Sequence, residues 1–263
     1  MALPDFLLIG APKCGTSALH RALQGHPQLF LPEVKEPKFF LTDGPPPSSG
    51  GGPGDVETWG EHVWRRADYE ALFDPAPAGA RRGEGTVFYL YDTDAQKRIA
   101  DLVPDAKLVA VLRDPVERAH SNWSHLREAG LEPEADFLTA CRLEPQRRAA
   151  GWAHFWHYVA QGRYGEQVEN LFSLFPREQV LLVRYADLRD APVLTADRVC
   201  AFLGVETGKV GGVPRHHVRS DVHGRTSGPT PEERAAALPW FADDVARLES
   251  LTGWSLGRWA SPT

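Results

Sequence analysis

Residues 6–19 read Phe-Leu-Leu-Ile-Gly-Ala-Pro-Lys-Cys-Gly-Thr-Ser-Ala-Leu, and they constrain the fold more than any other stretch. Phe6 to Ile9 is a continuous apolar run, the pattern of a strand buried on both faces. Gly10 and Pro12 end that run. Beyond Gly15, the apolar residues Ala18, Leu19, Ala22 and Leu23 recur at helical spacing. A strand that passes through a tight loop into a helix aims unpaired N–H groups, and the positive end of the helix dipole, at one spot. That spot suits a phosphate. Gly10 and Gly15 permit close backbone approach, and Lys13, Thr16 and Ser17 add a cation and two hydroxyls.

Gly10 and Gly15 have the separation of the glycines in the nucleotide P-loop, G-x-x-x-x-G-K-[ST]. The lysine does not match. Position 16 is Thr16, and the loop's cation is Lys13, nearer the bend. The Walker lysine reaches the β- and γ-phosphates and the next hydroxyl helps hold magnesium. Here the pattern predicts a phosphate cradle without that triphosphate machinery.

Two more buried strands follow the same logic. Residues 107–112 (Lys-Leu-Val-Ala-Val-Leu) deliver Arg113-Asp114-Pro115 at their C-terminal end, where open α/β sheets bind ligands. Pro115 starts a helix, and Ser121 lies about two turns into it. Residues 179–185 carry Val-Leu-Leu-Val at their centre. Helical patterns cover 59–73, 94–102, 137–149, 191–203 and about 231–251, the last as packing only. Segment 44–55, rich in Gly and Pro, reads as a flexible insertion with no packed element, serving either as a lid or as a plain surface loop. Buried strands alternating with helices support an α/β class with buried parallel strands.

A chain of 263 residues suffices for one large domain spanning 1–263. The net charge of −6 argues against non-specific nucleic-acid binding and requires any anionic ligand to be held by a local basic cluster. Cys14, Cys141 and Cys200 are too scattered for a disulfide framework or a zinc site. His154 and His157 are three apart, with no third ligand at metal spacing, so no metal is expected. No run is long enough to span a membrane and no secretory leader is visible, so a cytoplasmic protein is expected. No feature specifies an oligomeric state.

Six segments in order resemble one family. Pro12-Lys13-Cys14-Gly15-Thr16-Ser17-Ala18-Leu19 resembles the 5′-phosphosulfate loop of sulfotransferases that use 3′-phosphoadenosine 5′-phosphosulfate (PAPS), nearest to the heparan sulfate N- and 3-O-sulfotransferase type. Lys35-Glu36-Pro37-Lys38-Phe39-Phe40 matches the family's K-E-x-x-F-F element, and Gly83-Glu84-Gly85-Thr86-Val87-Phe88-Tyr89 its G-E-x-[ST]-x-x-Y segment. Arg113-Asp114-Pro115-Val116-Glu117-Arg118-Ala119-His120-Ser121 is similar to R-D-P-x-x-R-x-x-S throughout. Gly162-Arg163-Tyr164 resembles a G-x-Y element. His223-Gly224-Arg225-Thr226 resembles K-G-R-T, with His223 in the lysine position and no flanking cysteine pair.

The resemblance implies the α/β P-loop-like sulfotransferase fold, a central parallel sheet flanked by helices on both faces, and in-line transfer of a sulfuryl group from PAPS to a hydroxyl or amine, leaving PAP. It implies Lys13 as the group stabilising the bridging oxygen, and Cys14, Gly15, Thr16 and Ser17 around the 5′-phosphate. Arg113 and Ser121 would take the 3′-phosphate, and His223 to Thr226 would fold over the adenosine end. Glu36 would be the general base. From spacing alone Glu36 is a solvated carboxylate between lysines; a carboxylate beside Phe39 and Phe40 can also act as a base. Glu84 is a second carboxylate, for acceptor binding or shared base duty, and His20 and His125 are further bases. Glu84, Tyr89, Trp156 and Tyr164 are the acceptor-side residues; the aromatics read equally as core. The acceptor expected is a small molecule, glycoside or lipid. A nucleotide kinase on the same architecture and a non-catalytic PAP-binding protein are the alternatives, and PAP-versus-ATP binding and a turnover assay separate them.

Overall fold

A computed structural model of the chain describes residues 2–211 and 228–261. The chain forms two compact units. One is Met1–Pro46, Glu61–Arg113 and Asn170–Val218; the other is Pro47–Gly60, Asp114–Glu169 and Arg219–Thr263.

The first unit holds a five-stranded parallel sheet in the order β2-β3-β1-β4-β5. Its strands are β1 (Phe6–Gly10), β2 (Leu29–Phe30), β3 (Arg81–Glu84), β4 (Lys107–Leu112) and β5 (Val180–Arg184). The continuous apolar runs of β1 and β4 occupy central positions, where both faces are covered, and Leu7, Ile9, Leu108 and Ala110 have no exposed surface. The register sets Phe6 beside Gly83 and Leu7 beside Glu84 on one side, and Leu8 beside Val109 on the other. Gly83 is needed there: a Cβ would lie 2.2 Å from the Phe6 ring.

The chain's helices are α1 (Thr16–Gln24), α2 (Asp55–Gly60), α3 (Arg66–Ala71), α4 (Thr93–Leu102), α5 (Pro115–Glu128), α6 (Phe137–Ala149), α7 (Tyr164–Leu174), α8 (Tyr185–Asp190), α9 (Pro192–Leu203), α10 (Pro231–Ala237) and α11 (Ala242–Thr252). From β1 the chain passes through α1 to β2, in one direction along the sheet; from β3 it passes through α4 to β4, in the other. Right-handed crossovers then place α1 and α4 on opposite faces. Helix α9 packs on α1. The reversal of direction makes the C-terminal ends of β1 and β4 the topological switch point, the place where such sheets bind ligands.

The second unit is helical and built around buried charge. Glu132 accepts from both guanidinium nitrogens of Arg147 (2.7 Å each) and from the Tyr158 hydroxyl at 2.6 Å. Arg118, the second arginine of the R-D-P-x-x-R motif, has no exposed surface; it donates to Gln161 Oε1 at 2.9 Å and to the Tyr158 carbonyl. Asp114 caps α5 through Glu117 N and pairs with Arg234 (2.6 Å) from α10. The region expected to be packing only therefore secures the start of α5.

Three expectations need correction. Residues 59–73 do not form one helix. After α2 ends at Gly60 the chain runs extended, with Val63 N donating to the Pro37 carbonyl at 2.9 Å, and α3 starts at Arg66. The C-terminal helix is split by a 3₁₀ turn, Leu238–Trp240, at Pro239, whose ring removes a helical donor. Segment 44–55 is packed at its end. Asp55 is fully buried and accepts from Gly52 N, Ala153 N and Trp156 Nε1 at 2.7, 3.1 and 3.0 Å. A Cβ on Gly51 would meet the Ala150 carbonyl at 2.3 Å, and one on Gly52 the Trp152 and Trp156 rings at 2.8 Å. The bare glycine backbones, read as flexibility in the sequence, permit this contact.

Candidate functional site

The loop leaving β1 turns through Lys13 (φ 66°) and Gly15 (φ 81°), both left-handed. Gly15 is the N-cap of α1, with no side-chain cap hydrogen bond. The first residues to donate back to it are Ala18 and Leu19 (3.1 and 3.2 Å), so the N–H groups ahead of them precede the helical ladder. A Cβ on Gly15 would meet Tyr185 and Leu188 at 3.2 Å; one on Gly10 would lie 2.7 Å from Leu90 Cβ. Thr16 is buried and Ser17 is exposed. Cys14 is buried, with its Sγ donating to the Pro12 carbonyl (3.5 Å).

At the end of β4, Arg113 Nη1 donates to the Lys13 carbonyl at 3.4 Å, and its guanidinium lies 4.9 Å from the Tyr185 ring centroid. Lys13 and Arg113, a hundred residues apart, are thereby brought to one edge of the sheet. Tyr185 was missed by sequence reasoning, although it follows β5 directly and so falls on the same edge.

The second strip is 35–40. Glu36 (φ 59°) and Lys38 (φ 60°) are also left-handed. With Lys13 they are the described non-glycine residues of positive φ, a conformation that costs about 1–3 kcal/mol and persists where surroundings over-determine it. Lys38 N donates to Thr86 Oγ1 at 3.2 Å, and Lys38 Nζ pairs with Glu61 at 2.5 Å. Phe39 stacks on Tyr69 (centroids 4.1 Å apart, 6° between planes), and Phe40 N donates to the Tyr89 hydroxyl at 3.3 Å. Glu36 Oε1 lies 2.8 Å from Lys35 Nζ, with about a fifth of its side chain accessible (21%).

Glu84, at the end of β3, is 1% exposed and accepts from the Tyr69 hydroxyl at 3.2 Å. Burial pushes its carboxyl up to about 7; hydrogen bonds from Tyr89, Thr86 and Tyr69 oppose the shift and the charge of Glu36 adds to it. His20, one turn into α1, is 3% exposed with no partner for Nε2 among the described atoms. Burial first, then the charges of Lys35 and Arg21, bring its pKa down to about 4, so it is neutral at pH 7. His125 is exposed in the last turn of α5.

The expected acceptor-lining aromatics are corrected. Tyr89 and Trp156 have no exposed surface and Tyr164 has 1%, so none offers a ring face to a ligand. Trp156 is committed to Asp55, Tyr164 packs near Trp259 (6.2 Å), and Tyr89 holds the Phe40 and Glu84 backbone and side chain. Ser121 is half-buried in the second turn of α5. His223, Gly224, Arg225 and Thr226 lie outside the described residues.

A family model described as "Sulfotransferase domain" matches residues 96–220. The crystal structure of a sulfotransferase from Alicyclobacillus acidocaldarius is 34% identical, with 99% of this chain and 100% of that chain covered and a TM-score of 0.86. The chain belongs to the sulfotransferase family. Its architecture is that of the P-loop-like sulfotransferase fold. Among curated sulfotransferase relatives, the human bifunctional heparan sulfate N-deacetylase/N-sulfotransferase 3 is 30% identical over 210 residues, 77% of this chain and 22% of that protein. The human heparan sulfate glucosamine 3-O-sulfotransferase 3B1 is 30% identical over 205 residues, 78% of this chain and 47% of that protein. This sulfotransferase chain thus spans about a fifth to a half the length of those relatives. Among its described residues no three His, Cys, Asp or Glu side chains gather as a metal site, and no helix is long and apolar enough to cross a membrane.

Proposed function

We propose that this chain transfers a sulfuryl group from PAPS to a hydroxyl or amine of a small-molecule, glycoside or lipid acceptor. The observation that carries the reading is the juxtaposition at the switch point: Lys13 on the β1 loop and Arg113 at the end of β4, joined through the Lys13 carbonyl. A left-handed cradle before an uncapped helix suits one phosphate, and a guanidinium fork on an aromatic ring suits another. PAPS supplies an activated sulfuryl group esterified to its 5′-phosphate.

Thr16 and Ser17 hold the 5′-phosphate, and Arg113, with Ser121 by its motif, holds the 3′-phosphate. His223 to Thr226 close on the adenosine end, as the resemblance implies. Glu36 takes the proton that the acceptor sheds as its oxygen or nitrogen bonds to sulfur. Lys13 stabilises the negative charge developing on the bridging oxygen as the sulfur–oxygen bond to the phosphate breaks. Glu84, raised to about 7 by burial and bonded by the Tyr69 hydroxyl, is the second acceptor-side carboxylate. A net charge of −6 disfavours a polyanionic glycan as acceptor, and three buried free cysteines suit a reducing, cytoplasmic compartment.

Incubation with sulfur-labelled PAPS and an acceptor panel tests this. Label should move to a neutral or cationic acceptor, with PAP released. Transfer of phosphate from ATP, with no transfer from PAPS, would overturn it.

A further inference from the structure

Lys35 stands between the two halves of this chemistry. Its Nζ donates to Ser17 Oγ at 3.0 Å and to Glu36 Oε1 at 2.8 Å. Ser17 is in the first turn of α1, at the phosphate cradle; Glu36 is the acceptor-side carboxylate. An ammonium has three donors and no acceptor, so this geometry uses two of them on groups 18 and 1 residues away in sequence. Because Ser17 Oγ accepts from Lys35, the hydroxyl proton is left to donate elsewhere, toward the cradle. Hydrogen bonds in series also polarise one another, which strengthens that donation. On the other side, the bond holds the carboxylate of a residue whose backbone is itself in the left-handed region. His20, three residues past Ser17, feels the Lys35 charge as well. A pair this exposed (35% and 21% of the two side chains) adds little to stability, so its geometry needs another reason.

We propose that Lys35 is a positioning residue that ties the donor side to the acceptor side, orienting the Ser17 hydroxyl toward the 5′-phosphate and the Glu36 carboxylate toward the acceptor proton. This rests on the PAPS-dependent reading above. It deepens that reading by making the two half-sites one unit, so misplacing either group slows turnover more than it weakens binding.

The test compares wild type, Lys35→Met and Lys35→Arg for kcat, KM for PAPS, Kd for PAP and thermal midpoint. Lys35→Met should lose about 100-fold in kcat, the scale of a small misplacement of reacting groups. Its Kd for PAP should change by much less, and its melting temperature should match wild type. Lys35→Arg should recover most of the lost kcat. Wild-type turnover in Lys35→Met would overturn the proposal, as would equal losses in kcat and PAP affinity, or an arginine variant no better than the methionine one. A wild-type chain that neither binds PAP nor turns over PAPS would overturn the underlying reading, and this proposal with it.

Discussion

Two clusters of charge, one in each unit, are handled in opposite ways. Around Glu132 the carboxylate's demand is met. A buried carboxylate receives a bidentate guanidinium from Arg147, the Tyr158 hydroxyl and, through Oε1, the Glu134 N–H at 2.7 Å. No non-glycine residue described there has a positive φ. Around Glu36 the pairing is partial, the carboxylate stays accessible, and Lys13, Glu36 and Lys38 all occupy strained left-handed backbone. A structural cluster is satisfied and relaxed. A cluster kept for chemistry leaves capacity open and stores strain, which the surrounding fold must over-determine. The two would be hard to tell apart by charge content alone.

Substitutions should break this comparison in a definite order. Glu36→Gln should cost the most, about 10⁴-fold in kcat with PAP affinity kept, the upper range for a general base. Near-normal turnover would move the proton-accepting role to Glu84 or His20. Lys13→Ala should come next, at about 10³-fold in kcat and far less in PAP affinity; steady-state rates beside PAP titration check it, and equal losses would remove its transition-state role.

A smaller effect, read in stability, belongs to Glu84. Its folded-state pKa of about 7 lies above its ordinary value of 4.5. The stabilisation it contributes is therefore complete below pH 4.5 and lost as pH rises through 7, by about 3 kcal/mol. His20, brought down to about 4, adds stability as pH rises towards 6.5 in both proteins, so the readout is their difference: the urea midpoint of wild type relative to Glu84→Gln should fall from pH 4.5 to 8. Smallest on turnover is Glu132→Gln. It strands the Arg147 charge and should cost about 3–5 kcal/mol of stability, while kcat of the folded fraction is unchanged. A loss of kcat in that fraction would erase the contrast between the clusters.

The central strands were legible because burial on both faces demands continuous apolar runs, and 6–9, 107–112 and 179–185 supply them. Strands β2 and β3 were not. Leu29–Phe30 is two residues long, and Arg81-Arg82-Gly83-Glu84 has no apolar run, because its neighbours in the sheet rather than its own side chains define it. The cradle around Lys13 and Gly15 could be read from residue types and spacing, since its parts are local. Lys35 on Ser17, Tyr185 beneath Arg113 and Thr86 under Lys38 could not, because each contact joins segments that only the sheet topology brings together. The aromatic residues misled for a related reason. Burial decides whether Trp156 or Tyr164 offers a ring face, and side-chain type does not report burial.

The central claim is that the β1 loop and Arg113 hold two separate phosphates, one each. The direct measurement is the ratio of affinities for PAP and 5′-AMP, by calorimetry, in wild type and in Arg113→Ala. A charge-assisted fork on the 3′-phosphate should make PAP bind about 10–100-fold more tightly than 5′-AMP in wild type, and the variant should lose most of that preference. Equal affinity for PAP and 5′-AMP in wild type, or a ratio that survives loss of Arg113, would contradict the account.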